Sequence, residues 1–304
     1  RKRTLFPYTT LFRSLVPTLQ SLAGVLSLSH PAAVRLVARL AALGLLASRG
    51  EGLTLTAAGR EEARRVIRIH RLWERYLADR TGLPETEWHS EAEQVEHQLS
   101  PAEAEALAAA MGHPRFDPHG DPIPTAAGDL PVRRGFPLTL LSPGVLAEVI
   151  HVEDEPEAVY RHLVERALLP GCRLRVEATG DEEMALVADG RELVLSRIEA
   201  ANVTVAPLPP GEVMGGPYLS LAELAPGERG RVIALARTLR GTQRRRLLDL
   251  GIVPGTPVAV EMRSASGDPT AYEVRGATLG LRREQAAKVL VERMLPGAAM
   301  PEER

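Results

Sequence analysis

The chain is poor in cysteine, aromatic residues and lysine. Cys172 is its only cysteine among 304 residues, which excludes a disulfide scaffold and thiolate-based zinc sites and fits a reducing cytoplasm. Aromatic residues make up only 4%, so the cores have to be built from Leu, Val, Ile and Ala. Lysine occurs only at Lys2 and Lys288, so the positive charge is almost entirely arginine. No run of 18 apolar residues occurs, and no membrane span is expected. A phosphate loop, a nucleophile–base pair and a glycine-rich dinucleotide turn are also missing, so nothing points to an enzyme. What remains is ordinary composition, 44% hydrophobic and 25% charged with net charge −2, at a length that suggests two or more domains.

The most informative stretch is VIRIHRLWERYLADRTGLPETEWHSEAEQVEHQL, Val66 to Leu99. It reads as two helices broken around Thr81-Gly82-Leu83-Pro84. His70 and Glu74 are four apart and share a face. In the second helix His89, Glu93, Glu96 and His97 follow at steps of four, three and one, which predicts a single stripe. Facing helices that carry His and Glu inward can close a metal site. The donors are nitrogen and oxygen only, which suits a divalent ion such as Mn, Fe, Co, Ni or Zn. Read alone, the same pattern also describes a solvated helix face with i,i+4 pairs.

Residues 15–45 read as helix, turn, helix. Thr18 is placed to cap the first, and Ser29 the second, which Pro31 opens. Val34, Leu36, Val37, Leu40 and Leu43 give the second helix an apolar face, with Arg35 and Arg39 on its flank. Leu46 to Thr56 then reads as a small hairpin around Arg49-Gly50-Glu51-Gly52. This is the order of a winged helix-turn-helix, whose second helix enters the major groove. From His30 to Arg75 nine arginines face four glutamates, an excess that suggests a phosphate-facing surface, although a solvated Arg/Glu helix face gives the same count. A further helix is expected from Pro101, capped by Ser100 with Glu103 three residues on. In the turn-rich tail HPRFDPHGDPIP, residues 113–124, His113, Asp117, His119 and Asp121 are read as turn residues rather than ligands.

From Pro137 onward short strands dominate, and one pattern occurs twice, in Leu138–Val205 and Leu219–Glu292. Each copy has a Pro-Gly turn, an alternating strand, a short helix, a second Pro-Gly turn and a hairpin. A short helical turn then leads into a last strand. This predicts a duplicated small β-barrel. The expected fold is thus α+β and multidomain: a winged-helix DNA-binding domain at 15–67, a helical metal-binding and dimerisation domain at 68–124, a linker at 125–136, and two barrels at 137–206 and 217–294. Residues 1–14, RKRTLFPYTTLFRS, fit none of these and read as foreign or disordered sequence.

Residues 15–124 resemble the DtxR/MntR family of metal-dependent transcriptional repressors. The resemblance rests on SLAGVLSLSHPAAVRLVARLAALGLL, LTLTAAGR, RIHRLWERYL, WHSEAEQVEH and HPRFDPHGDPIP, in the family's order. The barrels resemble FeoA-type SH3-like domains, the second more clearly through LAPGERGRV, RRRLLDLGIVPGT and LRREQAAKVLVE. The resemblance implies a homodimer that binds a double-stranded operator when Mn(II) or Fe(II) is abundant. It assigns His70, Glu74 and His89 to one metal site and Glu93, Glu96 and His97 to another. A glutamate at Glu93, where iron-sensing relatives tend to have cysteine, favours Mn(II). Glu153 matches a carboxylate that some relatives lend from the first barrel. Ser29, Pro31, Ala32, Arg35 and Arg39 match recognition-helix positions, and Arg49 is a further phosphate contact in the wing. The family's first helix also supplies an Asp or Met ligand to the second site, whereas residues 1–14 contain no Asp, Glu, His, Met or Cys. The alternative reading is an accessory of ferrous-iron transport that works through its FeoA-like barrels without binding DNA.

Overall fold

The computed structural model describes residues 17–50, 52–209, 212, 218–236 and 238–294, without the side chain of Arg49. The segment 1–14, set apart above, lies outside the described residues. The chain divides into two compact units. One holds the described residues up to Glu74 with His89–Arg115 and Pro122–Pro131; the other holds Arg75–Trp88, Phe116–Asp121 and the described residues from Val132.

The first unit opens with α1 (Leu19–Val25) and α2 (His30–Ala42), which meet at 110°. That angle is typical of a helix-turn-helix. Thr18 caps α1 in a reciprocal box with Ser21. Ser29 occupies the N-cap position of α2 in extended backbone, but its hydroxyl makes no capping hydrogen bond, unlike the expected cap. Pro31, the second helical residue, lacks one of the two N–H groups such a cap uses. The strands β1 (Leu46–Arg49) and β2 (Gly52–Leu55) pair antiparallel as the expected wing.

The long α3 (Ala57–Arg80) includes Gly59 in its first turn. Thr56 Oγ1 accepts from the Gly59 N–H at 3.0 Å and donates to the Gly44 carbonyl at 2.6 Å. Gly59 is there for closeness: a Cβ would sit 1.9 Å from the Leu45 carbonyl oxygen. Next come α4 (Trp88–Val95) and α5 (Pro101–Ala110), the latter closed by the expected Ser100/Glu103 box. Ile69 and Leu72 of α3 pack with Ala104, Ala108 and Ile123. Ile123 comes from the proline-rich tail, which Arg71 fixes by donating to the Pro122 carbonyl at 2.7 Å.

The second unit contains the duplication. β3 (Phe136–Pro137), β4 (Leu146–Val152), α6 (Glu157–Glu165), β5 (Arg173–Thr179), β6 (Glu183–Ala188), β7 (Arg191–Ser196), α7 (Arg197–Ala201) and β8 (Val203–Pro207) form the first copy. β9 (Leu219–Ser220), β10 (Arg229–Leu235), α8 (Gly241–Asp249), β11 (Pro257–Arg263), β12 (Thr270–Val274), β13 (Ala277–Leu281), α9 (Arg283–Ala286) and β14 (Val289–Met294) form the second. The strand orders β3-β8-β4-β5-β6-β7 and β9-β14-β10-β11-β12-β13 are the same topology. Register breaks fall at matching places: Val149/His151 and Val232/Ala234 on the second strands, Val176/Ala178 and Val260/Met262 on the third. Such bulges bend a strand and tighten its twist, which curls a six-stranded sheet over one core. Each copy has its own core, around Leu174, Leu186 and Val205 in one and Val258, Tyr272 and Val291 in the other. The two-residue β3 and β9 bring each copy to six strands and are too short to announce themselves in sequence.

Within this unit the second sheet is fastened to the end of α3 and to the first sheet. Lys288 pairs with Glu85, and both are buried. Arg240 donates to the Pro170 carbonyl at 3.1 Å and Thr242 Oγ1 to the Asp79 carbonyl at 3.3 Å. Gly241 permits the approach, since a Cβ there would lie 2.3 Å from the Asp79 carbonyl oxygen. In the tail the Asp121 N–H donates to the Asp117 carboxylate at 2.8 Å. His119, however, is buried, its ring 5.2 Å from Tyr160 and 6.0 Å from Trp88. Among the described residues no single helix is long and apolar enough to cross a membrane.

Candidate metal centre

Within the first unit, α3 and α4 bring the predicted ligands together. One turn of α3 separates His70 from Glu74, and the Nε2 of the imidazole lies 3.1 Å from the Oε1 of the carboxylate. His89, on the first turn of α4, presents Nδ1 3.5 Å from the same oxygen. The two imidazole rings meet edge to face at 4.8 Å. One donor atom from each of His70, Glu74 and His89 lies within 4.8 Å of the others. Glu74 is only 1% exposed. A buried carboxylate facing two imidazoles is costly without a positive charge among them. The donor spacing and donor types therefore fit a hard or borderline divalent cation.

The second predicted set is arranged differently. α4 ends at Val95, so Glu96 and His97 fall in the turn that follows and the expected continuous stripe is broken. Glu96 turns inward and accepts at 2.8 Å from His70 Nδ1. Glu93 Oε1 lies 3.7 Å from His89 Nε2. His97 is 68% exposed in its side chain and lies 3.3 Å from the other oxygen of Glu96. Among the described residues Glu93, Glu96 and His97 do not gather into a group of their own. Glu96 stands behind His70, an arrangement that can fix the orientation of an imidazole. Glu153, beyond β4 in the second unit, donates its N–H to the Asn202 carbonyl at 2.9 Å.

Burial alone pushes His70 down, but the Glu74 charge and its hydrogen bonds to Glu74 and Glu96 outweigh it and raise the imidazole to about 9. At neutral pH the metal-free site thus holds a proton between its carboxylates. Binding a cation at His70 has to expel that proton. Calorimetric titration of Mn(II) near pH 7 in two buffers of different ionisation heat should show close to one proton released per ion bound through this site. Metal affinity should climb as pH rises towards about 9 and level off above it.

The nucleic-acid side is smaller than the arginine count suggested. Arg65 pairs with Glu62, Arg68 with Glu105 and Arg75 with Asp79, each at 2.7 Å. Arg60 donates to the Leu55 carbonyl and Arg64 to the Arg60 carbonyl. These arginines of α3 are thus already engaged, Arg65 and Arg75 in i,i+3 and i,i+4 pairs and Arg68 across to Glu105 of α5. On α2, Ser29, Pro31, Arg35 and Arg39 are exposed, and Ala32 is half-buried. Arg35 and Arg39, one turn apart, have no carboxylate partner among the described residues. Arg49 ends β1 opposite Gly52, its side chain outside the described residues.

Comparison with known proteins agrees with this layout. Residues 56–125 match the family described as "Iron dependent repressor, metal binding and dimerisation domain", and residues 219–293 match the FeoA domain. The iron-dependent repressor IdeR of Mycobacterium leprae is 32% identical over 206 residues, spanning 62% of this chain and 87% of the relative. The diphtheria toxin repressor of Corynebacterium glutamicum is 36% identical over 111 residues, 36% of this chain and 49% of the relative. Among solved structures, a manganese-dependent transcriptional repressor in complex with manganese aligns at 30% identity and TM-score 0.58, covering 64% of this chain and 92% of the other. The apo form of the manganese-activated repressor ScaR aligns at 28% identity and TM-score 0.55, covering 64% and 94%. With a relative this similar matched over nearly its whole length, a winged helix and a His/Glu centre on the expected helices, the chain belongs to the DtxR/MntR family of metal-dependent transcriptional repressors and carries a C-terminal FeoA domain.

Proposed function

We propose that the chain is a cytoplasmic, homodimeric repressor that binds a double-stranded operator when Mn(II) or Fe(II) occupies its His/Glu centre. The observation that carries this reading is the cluster of His70 and Glu74, on the helix that leads out of the wing, with His89 at the start of α4. The bound ion would supply the positive charge that the buried Glu74 faces. Glu74 and the two imidazoles hold it, and Glu96 orients His70. Glu93, Glu96 and His97 remain the proposed second site, and Glu153 a further carboxylate. The exposed side chain of His97, which contacts Glu96, has room to turn towards an added ligand. On the DNA side, Arg35 reaches base edges and Arg39 phosphate. Ser29, with its hydroxyl unused by the helix, donates to phosphate, Pro31 and Ala32 line the groove, and Arg49 adds a wing contact.

The test is selection from a random duplex library with and without Mn(II) or Fe(II), followed by fluorescence anisotropy on the enriched site. A palindrome enriched only with metal is the expected result. His97→Ala should remove the metal dependence while leaving thermal stability within about 0.5 kcal/mol, because the side chain is exposed. Binding that is indifferent to chelation would overturn the metal-gated reading. Absence of any enriched duplex, together with capture of a ferrous-iron transporter domain by residues 219–293, would favour the accessory role.

A further inference from the structure

In the second unit, a cavity of about 720 Å³ opens where the end of α3, the first sheet and the start of α8 meet. Among the described residues its walls carry Arg75, Arg80, Arg240, Arg244 and Arg245 against two carboxylates, Asp79 and Glu148. Arg75 already engages Asp79. In a chain of net charge −2 this concentration of guanidinium is a local reversal of sign. Arg240 is held below its ordinary value by burial and then by the neighbouring charge of Arg75, so two like charges are packed together with a cavity in front of them. α8 starts at the same place. Its N-cap residue, Arg240, gives no side-chain cap, and its first turn holds no acidic residue. The first-turn N–H groups of a helix lack intrahelical acceptors and carry the positive end of the helix dipole. Arg240, Gly241 and Thr242 are pinned by the Pro170 and Asp79 carbonyls, which keeps that end fixed relative to Arg75.

We infer that this cavity is a binding site for a small diphosphate-bearing molecule. Guanidinium groups match phosphoryl oxygens two at a time, and a helix N-terminus adds backbone donors. Arginines stand on two sides, Arg75 and Arg80 from α3 and Arg244 and Arg245 from α8, so an anion with two adjacent phosphoryl groups can be held from both. The volume accommodates a ligand between pyrophosphate and a mononucleotide in size. This site shares no residue with the His/Glu centre or with the DNA-facing helix, and it uses the FeoA domain, to which the proposed repression assigns no contact.

The test is isothermal titration of the full chain, freed of metal, with pyrophosphate, and with sulfate as the comparison anion. Pyrophosphate is expected to bind once per chain and more tightly than sulfate. The pair Arg244→Ala/Arg245→Ala should weaken it at least tenfold. Both side chains are exposed, and the melting curve of the variant checks that the fold survives. Arg35→Ala/Arg39→Ala should leave pyrophosphate binding unchanged. No pyrophosphate binding, equal binding of sulfate, or a loss confined to the Arg35/Arg39 variant would each overturn the inference. DNA binding is not read in this experiment, so failure here leaves the proposed repressor activity untouched.

Discussion

Glu74→Gln is expected to weaken Mn(II) binding by at least about 100-fold and to abolish metal-dependent DNA binding. Loss of an outer partner of a ligand typically costs about 10–100-fold in metal affinity, and Glu74 stands at the centre of the cluster. Its Oε1 is the point to which both His70 and His89 converge, at 3.1 and 3.5 Å. The amide keeps the shape but removes the charge. His70 then loses the main influence that raises it, so it should titrate well below 9 in the variant. The folded-state value of His70 lies above that of an unfolded imidazole, so its contribution to stability is complete below about pH 6.5 and fades as pH rises towards 9. Glu74→Gln should therefore lose stability chiefly at acidic and neutral pH and less at pH 9. Histidine NMR titration, metal calorimetry and melting at two pH values read these effects separately. Unchanged metal affinity would show that the ion binds elsewhere.

The second large effect is expected at Lys288. Lys288→Ala should destabilise the docked second sheet by about 3–5 kcal/mol, the usual result of leaving a buried charge without its partner. Lys288 and Glu85 are 5% and 7% exposed, and their ion pair joins the last strand region to the turn after α3. The same change strands Glu284 beside Glu85, since burial and then the Lys288 charge compete in setting its titration. The double variant Glu85→Leu/Lys288→Met should recover most of the loss, because an apolar pair of similar volume removes both desolvated charges. Differential scanning calorimetry reads these effects, and limited proteolysis reports release of residues 219–293. A Lys288→Ala chain that melts like the parent would mean that the ion pair contributes nothing to docking.

Some of this was legible in the sequence because it is local. Helix spacing predicted that His70 and Glu74 share a face, and the Ser100/Glu103 signature gave its capping box. Alternation of apolar residues and repeated Pro-Gly turns announced two copies of one sheet, which the matching strand orders bear out. Cysteine scarcity and the nitrogen and oxygen donor set already narrowed the metal chemistry. The paired arginines of α3 were misleading for a local reason too: a charge count does not say which guanidinium already has a carboxylate.

Tertiary structure decided what depends on distance along the chain. Glu96 was counted with Glu93 and His97, yet it backs His70 from 26 residues away, because α4 ends one residue before it. Gly59 is required within α3 by the Leu45 carbonyl, which comes from the connection between α2 and β1. The buried pair of Glu85 and Lys288 spans 203 residues, and the arginine cavity collects side chains from α3 and α8. Periodicity fixes which residues share a face of one helix or strand. Only packing brings one face against another, and burial there sets whether a carboxylate holds a proton, a lysine or a metal ion.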